Sequence, residues 1–380
     1  MTNNTATGIL ELTDNGAGFL RRREANYLPS NGDAYVRQRL IREFGLRSGD
    51  EVTGTVGKAP GRGKSPPLTK VETVDGRAPQ EVRRRPEFNR LAAIHPNEQL
   101  FLDCDLHRRG QPDYTNRIID LMAPLGKGQR ALVVAPAKAG KTMVLQAVAE
   151  GIVANNPDML LMILLVDERP EEVTEMEMIG FGEVIASSFD YPPQRHIAIA
   201  ELVLERARRR VELGEDVVII LDSITRLARA YNTVEKGSGR TLSGGLDASS
   251  LDKPKKFLGS ARNVDPSQGG GSLTIIGTTL IDTDSRMDQV IFEEFKGTGN
   301  SELVLSRDIA ERRIYPAIDL NASGTRKEER LLSPEMLETS REIRHRLADL
   351  PTTDAMSQLL AMMKRSKSNQ ELMQQVMAGI

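Results

Sequence analysis

Residues 135–142 read A-P-A-K-A-G-K-T, and no other stretch limits the fold of this chain so sharply. They lie between an apolar run, 131–135, and a helix-forming run, 143–150. That is the strand–loop–helix setting a phosphate-binding loop requires. Backbone N–H groups of Ala137, Lys138, Ala139 and Gly140, continuing into Lys141, Thr142 and Met143, can point at phosphate oxygens. Lys141 adds a mobile positive charge for the β- and γ-phosphates, and the Thr142 hydroxyl suits Mg²⁺. Ala135 stands where such loops usually begin with glycine.

A nucleotide site needs a second half. Residues 217–221 are wholly apolar and lead into Asp222, as expected of a buried strand whose terminal carboxylate reaches Mg²⁺. Hydrolysis also needs a group that orients or deprotonates water. Asp222 is followed by Ser223, so that group must come from elsewhere. The apolar run 160–166 ends in Asp167-Glu168-Arg169-Pro170, placing acids at the carboxyl edge of a strand, where α/β sheets bind ligands. Glu168 is the candidate base, and ATP with Mg²⁺ the expected ligands.

Around these motifs the chain changes grammar. Residues 8–75 show short alternating runs broken by turn signals such as Asp14-Asn15-Gly16 and Ser48-Gly49-Asp50. This predicts a small all-β barrel of oligonucleotide-binding type. Residues 79–125 read as linker, with Arg83-Arg84-Arg85 near their start. From about Gly126 strands and helices alternate, predicting a doubly wound α/β domain over 126–380 after a barrel over 1–78. Gln194–Leu213 reads as a helix, and the Met- and Leu-rich tail after Ser333 as helices whose methionines pack a core. Residues 1–90 carry a net charge of +5 and the remainder −7, which suits a polyanion-binding module joined to another body. The lone Cys104 excludes an internal disulfide and fits a cytoplasmic chain. No apolar run approaches the ~20 residues of a membrane span, so no membrane role is expected, and the polar start reads as no signal peptide.

Four runs carry a resemblance: Asp167 to Met176 (D-E-R-P-E-E-V-T-E-M), Leu221 to Asn232 (L-D-S-I-T-R-L-A-R-A-Y-N), Glu293 to Asn300 (E-E-F-K-G-T-G-N) and Ser323 to Glu329 (S-G-T-R-K-E-E). They closely resemble the Rho family of transcription termination factors, from about Gly126 to Asn369 and more loosely over the barrel. The resemblance implies a RecA-like, homo-hexameric, RNA-dependent ATPase that translocates along single-stranded RNA and dislodges RNA polymerase. RecA-like ATPases place the catalytic glutamate where Glu168 stands. By the same resemblance Arg326 matches an arginine finger reaching the neighbouring subunit's γ-phosphate, Arg313 a second arginine at that interface, and Tyr315 an aromatic packed on adenine.

Two loops match the family's RNA-facing pore loops. Residues 236–246, Gly/Ser-rich, contain Arg240, Thr241, Ser243 and Gly244; residues 282–287 contain Thr283, Ser285 and Arg286, with Asp284 in place of a glycine. Small residues let backbone approach phosphate, and hydroxyl or Arg groups supply contacts. Residues 265–268 look like a short surface insertion. In the barrel, Phe19, Arg21 and Tyr35 match a base-stacking strand, and Lys64 a basic partner in a later loop. Ala17 replaces a second aromatic and the acid beside Lys64 is missing, so weaker pyrimidine preference is expected. Phe19 could instead be a barrel-core residue. The competing readings are a secretion- or rotary-type hexameric ATPase, and an RNA-binding protein with a weak motor.

Overall fold

The computed structural model describes residues 4–61, 63–108, 110–235 and 243–378. The first body is a five-stranded antiparallel sheet of Thr5–Leu12 (β1), Gly18–Arg21 (β2), Ala34–Val36 (β3), Glu51–Val56 (β4) and Leu68–Val74 (β5), ordered β3-β2-β1-β4-β5. A bridge from Tyr35 to Pro67 draws the two edges together, so the sheet curls into the expected barrel. Alternation sets its inside: Val52, Gly54 and Val56 are buried, while Thr53 and Thr55 lie on the other face. Gly54 is required by a close approach, since a Cβ there would lie 2.1 Å from the Lys70 carbonyl oxygen.

The stretch 79–125 is packed chain rather than a loose connector. Pro79–Val82 forms a helical turn, and Phe88 is buried beneath the guanidinium of Arg262, 4.3 Å from the ring centre. Arg85 is buried on Asp50 and on Glu212, the latter at 3.0 Å. The arginine run reads as linker because these two carboxylates lie far away in sequence. The helix Thr115–Met122 is buried along its whole length and joins the core of the second body.

The second body is built on a mixed, mainly parallel sheet. Its order is Glu183–Ser188, Leu160–Glu168, Asp216–Asp222, Ser272–Ile281, Arg130–Pro136 and Ser301–Val304, with Gly324–Thr325 antiparallel at the edge. The runs 160–166 and 217–221 are apolar throughout because helices cover both faces; Val217, Ile219, Ile220 and Leu221 have no exposure. This is the predicted α/β architecture, with the helix Pro193–Val211 where 194–213 was expected. The edge strand 183–188 was not predicted; E-V-I-A-S-S offers too short an apolar run. Three helices, Pro334–Leu347, Thr352–Lys364 and Asn369–Met377, form the tail. Met356 and Met363 are fully buried, so core packing accounts for them as expected.

Candidate functional site: a nucleotide pocket and an aromatic platform

Three strands deliver the nucleotide residues to one edge. The strand Arg130–Pro136 runs into the loop and the helix Lys141–Asn155, whose first residue is the loop lysine. Parallel register sets Leu165 beside Asp222 and Ser188 beside Glu168, so both acids emerge at the carboxyl end of the sheet. Lys141 Nζ lies 2.6 Å from Asp222 Oδ1 and 3.3 Å from Glu168 Oε1. Ala135 is still strand, paired with Leu280, so the missing glycine costs no special backbone angle. The left-handed angles fall later, at Lys138 (φ 63°) and Gly140 (φ 87°).

Electrostatics follow from burial. Glu168 is 3% exposed, and burial with the nearby Asp222 charge pushes its carboxyl up to about 7, against the pull of Lys141 and Arg226. Burial opposes the Lys141 charge, but the two carboxylates outweigh it and hold its pKa above the ordinary lysine value. Thr278 donates to Asp222 Oδ1 at 2.6 Å, and Arg226 bridges Asp167 (3.0 Å) and Glu168 (3.3 Å). Thr278 and Arg226 were missed in the sequence. The DSITR run that carries Arg226 was in view, but its reach back to Asp167 depends on two strands lying side by side.

Next to the loop lies an open depression lined by Gly140, Met143, Val144, Thr115, Tyr315 and Arg108 among others. The Tyr315 ring closes over Gly140, where a Cβ would sit 3.3 Å from it, so ring and loop define a slot for a flat base. Arg313 is exposed and lines the adjoining depression with Tyr315. For a metal, no group of three or more His, Cys, Asp or Glu side chains gathers among the described residues. One hydroxyl, Thr142, and one carboxylate, Asp222, flank Lys141; that donor set fits Mg²⁺, which keeps several waters and takes phosphate oxygens. Arg326 lies elsewhere. Its N–H donates to the Asn300 carbonyl at 2.9 Å, beside Arg130 at the opposite edge of the sheet.

On the barrel, Phe19 and Tyr35 are half-buried neighbours across β2 and β3, ring centres 5.5 Å apart. Leu20 fills the core while Phe19 faces outward, so Phe19 is no core residue. Arg21 requires a correction: it is 8% exposed, held by Glu11 (2.5 Å) and Asp33 (2.7 Å) with its guanidinium 5.0 Å from the Phe19 ring centre. It props the ring rather than offering its charge to a phosphate. Lys64 is exposed in the loop leading to Pro66, whose carbonyl accepts the Tyr35 N–H. Of the other loop residues, Arg240 and Thr241 lie outside the described residues. Ser243 and Gly244 pack on the start of the helix Arg286–Lys296; a Cβ on Gly244 would lie 2.6 Å from Met287 N. The two loops therefore adjoin. Asp284 adopts φ 59°, a conformation Asp tolerates, so it follows the path a glycine would take. Thr283 is partly spent on Asp288 (2.6 Å), Ser285 caps the helix, and Arg286 is exposed.

Comparison with known proteins agrees with this layout. A family model described as Rho termination factor, RNA-binding domain, matches residues 6–80, and one described as ATP synthase alpha/beta family, nucleotide-binding domain, matches 115–325. A curated relative named transcription termination factor Rho from Gemmatimonas aurantiaca is 53% identical over 94% of the chain and 48% of its own length. One of the same name from Mycobacterium tuberculosis is 50% identical, covering 97% and 60%. A third, from Cereibacter sphaeroides, is 49% identical, covering 96% and 85%. The chain thus spans about half to three-fifths of the first two relatives. Among solved structures, an ATPase of a bacterial type III secretion system superposes with TM-score 0.61 at 21% identity, over 83% of this chain and 94% of that one. An ATP synthase subunit from Nanoarcheaum equitans gives 0.55 at 22%, over 68% and 63%. At these identities the likeness is one of fold.

Proposed function

We propose, from the premise that the chain belongs to the Rho family of transcription termination factors, that it is an RNA-stimulated ATPase which moves along single-stranded RNA as a hexameric ring and releases transcripts from RNA polymerase. The observation that carries the reading is the pairing of Lys141 with both Asp222 and Glu168 at the mouth of the phosphate loop. In this reading residues 1–78 hold RNA, 126–380 form the motor, and 79–125 weld the two. Work of this kind belongs in the cytoplasm. No helix among the described residues is long and apolar enough to cross a membrane.

Phe19 and Tyr35 stack bases at ~1–3 kcal/mol each, with Lys64 on the backbone. The adjoining loops around Ser243–Gly244 and Thr283–Arg286, with Arg240 and Thr241, grip the strand in the pore. Loop N–H groups and Lys141 hold the triphosphate, and Tyr315 packs on the base. Thr142 and Asp222 would hold Mg²⁺, which would supply charge neutralisation on the phosphates. Glu168, once ionised, accepts the proton of the attacking water. Arg326 completes the site of an adjacent copy, a contribution worth ~10³–10⁵ in rate in related systems, while Arg313, beside Tyr315, stands at the rim of its own chain's pocket where a neighbour would meet it.

The test is ATP hydrolysis by the purified chain without RNA, with poly(C) and with poly(U). Turnover stimulated by RNA, lost in Lys141→Ala and weakened in RNA affinity by Phe19→Ala, is the expected outcome. Hydrolysis indifferent to RNA would favour a secretion-type ATPase. Tight RNA binding without hydrolysis would favour a binding protein.

A further inference from the structure

Behind Glu168 lies a set of polar groups, two of them buried, that the mechanism above does not use. The ladder between 160–168 and 183–188 slips by one residue between Val166 and Glu168. Asp167, at φ 57°, is the residue left over. An irregularity of this kind beside a site re-aims the next side chain, and here the next side chain is Glu168. Two groups face the displaced carboxylate. Arg226 pairs with Asp167 Oδ2 at 3.0 Å. From the other side His196, 4% exposed, brings Nε2 to 3.9 Å from Asp167 Oδ1. Its other nitrogen, Nδ1, is 2.6 Å from the hydroxyl of Ser187, which has no exposure at all. Ser187 cannot meet a substrate, so the Ser–His–Asp series is no hydrolytic triad. The edge strand is tied to the base once more, through the Phe189 N–H donating to the Glu168 carbonyl at 3.1 Å.

We propose that His196 is a positioning residue for the hydrolytic step. It is a neutral strut with Nδ1 accepting from Ser187 and Nε2–H directed at Asp167, and it holds the 167–168 irregularity so that Glu168 aims at the attacking water. A neutral ring fits the surroundings: burial lowers the His196 pKa, Arg226 lowers it further, and Asp167 and Asp190 oppose them. The inference rests on the ATPase reading of Glu168 but concerns a different residue.

Two substitutions separate the ends of the strut. In His196→Gln the amide reaches the Nε2 position, and in His196→Asn it reaches only the Nδ1 position. RNA-saturated kcat should fall about ten- to a hundredfold in His196→Asn, the scale of a misplaced catalytic group. The KM for ATP should stay within about twofold, as expected when a transition-state contact alone is lost. His196→Gln should recover most of the rate. A His196→Asn chain as fast as wild type, or a His196→Gln chain slower than His196→Asn, overturns the strut while leaving the motor reading intact. Nitrogen-15 spectra of histidine-labelled protein test it without turnover. The chain has four histidines, and the signal lost in His196→Asn should report an Nε2–H tautomer that changes in Ser187→Ala. An Nδ1–H or doubly protonated His196 at neutral pH overturns the proposal even if hydrolysis proves independent of RNA.

Discussion

At the scale of single residues, the decisive group is Glu168. Its carboxyl is raised from 4.5 to about 7 by burial and by Asp222. A base must be ionised to accept a proton, so the active fraction grows as pH rises through that value. The kcat/KM for ATP, which reports the free enzyme, should therefore fall about tenfold per pH unit on the acid side, with its bend near 7. A profile flat from pH 5.5 to 8 would remove Glu168 from the role. Stability runs the other way for this group. Between 4.5 and about 7 the folded chain keeps a proton that the unfolded chain releases, so its contribution to stability declines as pH rises across that window. The candidate nucleotide residues that the structure brings together, Lys141, Glu168 and Asp222, could be picked out in the sequence because each comes with its own flanks: loop, helix start and strand-end acid. Arg21 was not, because its partners Glu11 and Asp33 are ten and twelve residues away and only strand pairing brings them to it.

At the scale of elements, the barrel is welded to the motor along the helix Pro193–Val211 and the edge strand 183–188. Asn26 accepts the Ala186 N–H at 3.1 Å, completing the open edge of the sheet. Tyr27 donates to Glu183, which also receives Arg206 at 2.7 Å; Arg206 reaches Glu51 of β4 at 3.2 Å. Gly49, at φ 92°, lies so near the helix that a Cβ would stand 2.3 Å from the Glu205 carbonyl carbon. Arg206 and Glu183 are both nearly buried, so removing one partner strands a charge. Arg206→Met should cost about 3–5 kcal/mol in urea unfolding, and Arg206→Met with Glu183→Gln should restore most of it. A single-mutant loss under about 1 kcal/mol would mean water already reaches the pair. None of this joint could be read from the sequence. Alternation and turn residues mark the short strands of 8–75, but alternation says which face is buried and not what buries it. The linker reading of 79–125 has the same cause, since Phe88 and Arg85 find their partners on a helix over 100 residues onward.

At the scale of the whole molecule, one copy cannot assemble the proposed site. Lys141 follows the carboxyl end of the strand Arg130–Pro136, whereas Arg326 lies beside Arg130 at its start. Seven residues at ~3.3 Å each put roughly 20 Å of sheet between them. Arg326 is exposed, at the edge where the antiparallel pair 301–304 and 324–325 ends, and so is free to meet another copy. The argument predicts complementation. Chains carrying Glu168→Gln keep the finger but lack the base. Chains carrying Arg326→Ala keep the base but lack the finger. Each alone should hydrolyse ATP at a small fraction of the wild-type rate. Unfolded together and reassembled, they form some interfaces in which an intact Glu168 meets an intact Arg326, and RNA-stimulated hydrolysis should rise above either parent. Two inactive parents that stay inactive when mixed, while mixtures with wild type retain activity in proportion to wild-type sites, would place Arg326 outside the site. Full activity of Arg326→Ala alone would do the same. A rise on mixing requires the two groups to act across a subunit boundary, because no rearrangement of one chain's sheet brings both ends of the same strand to one phosphate.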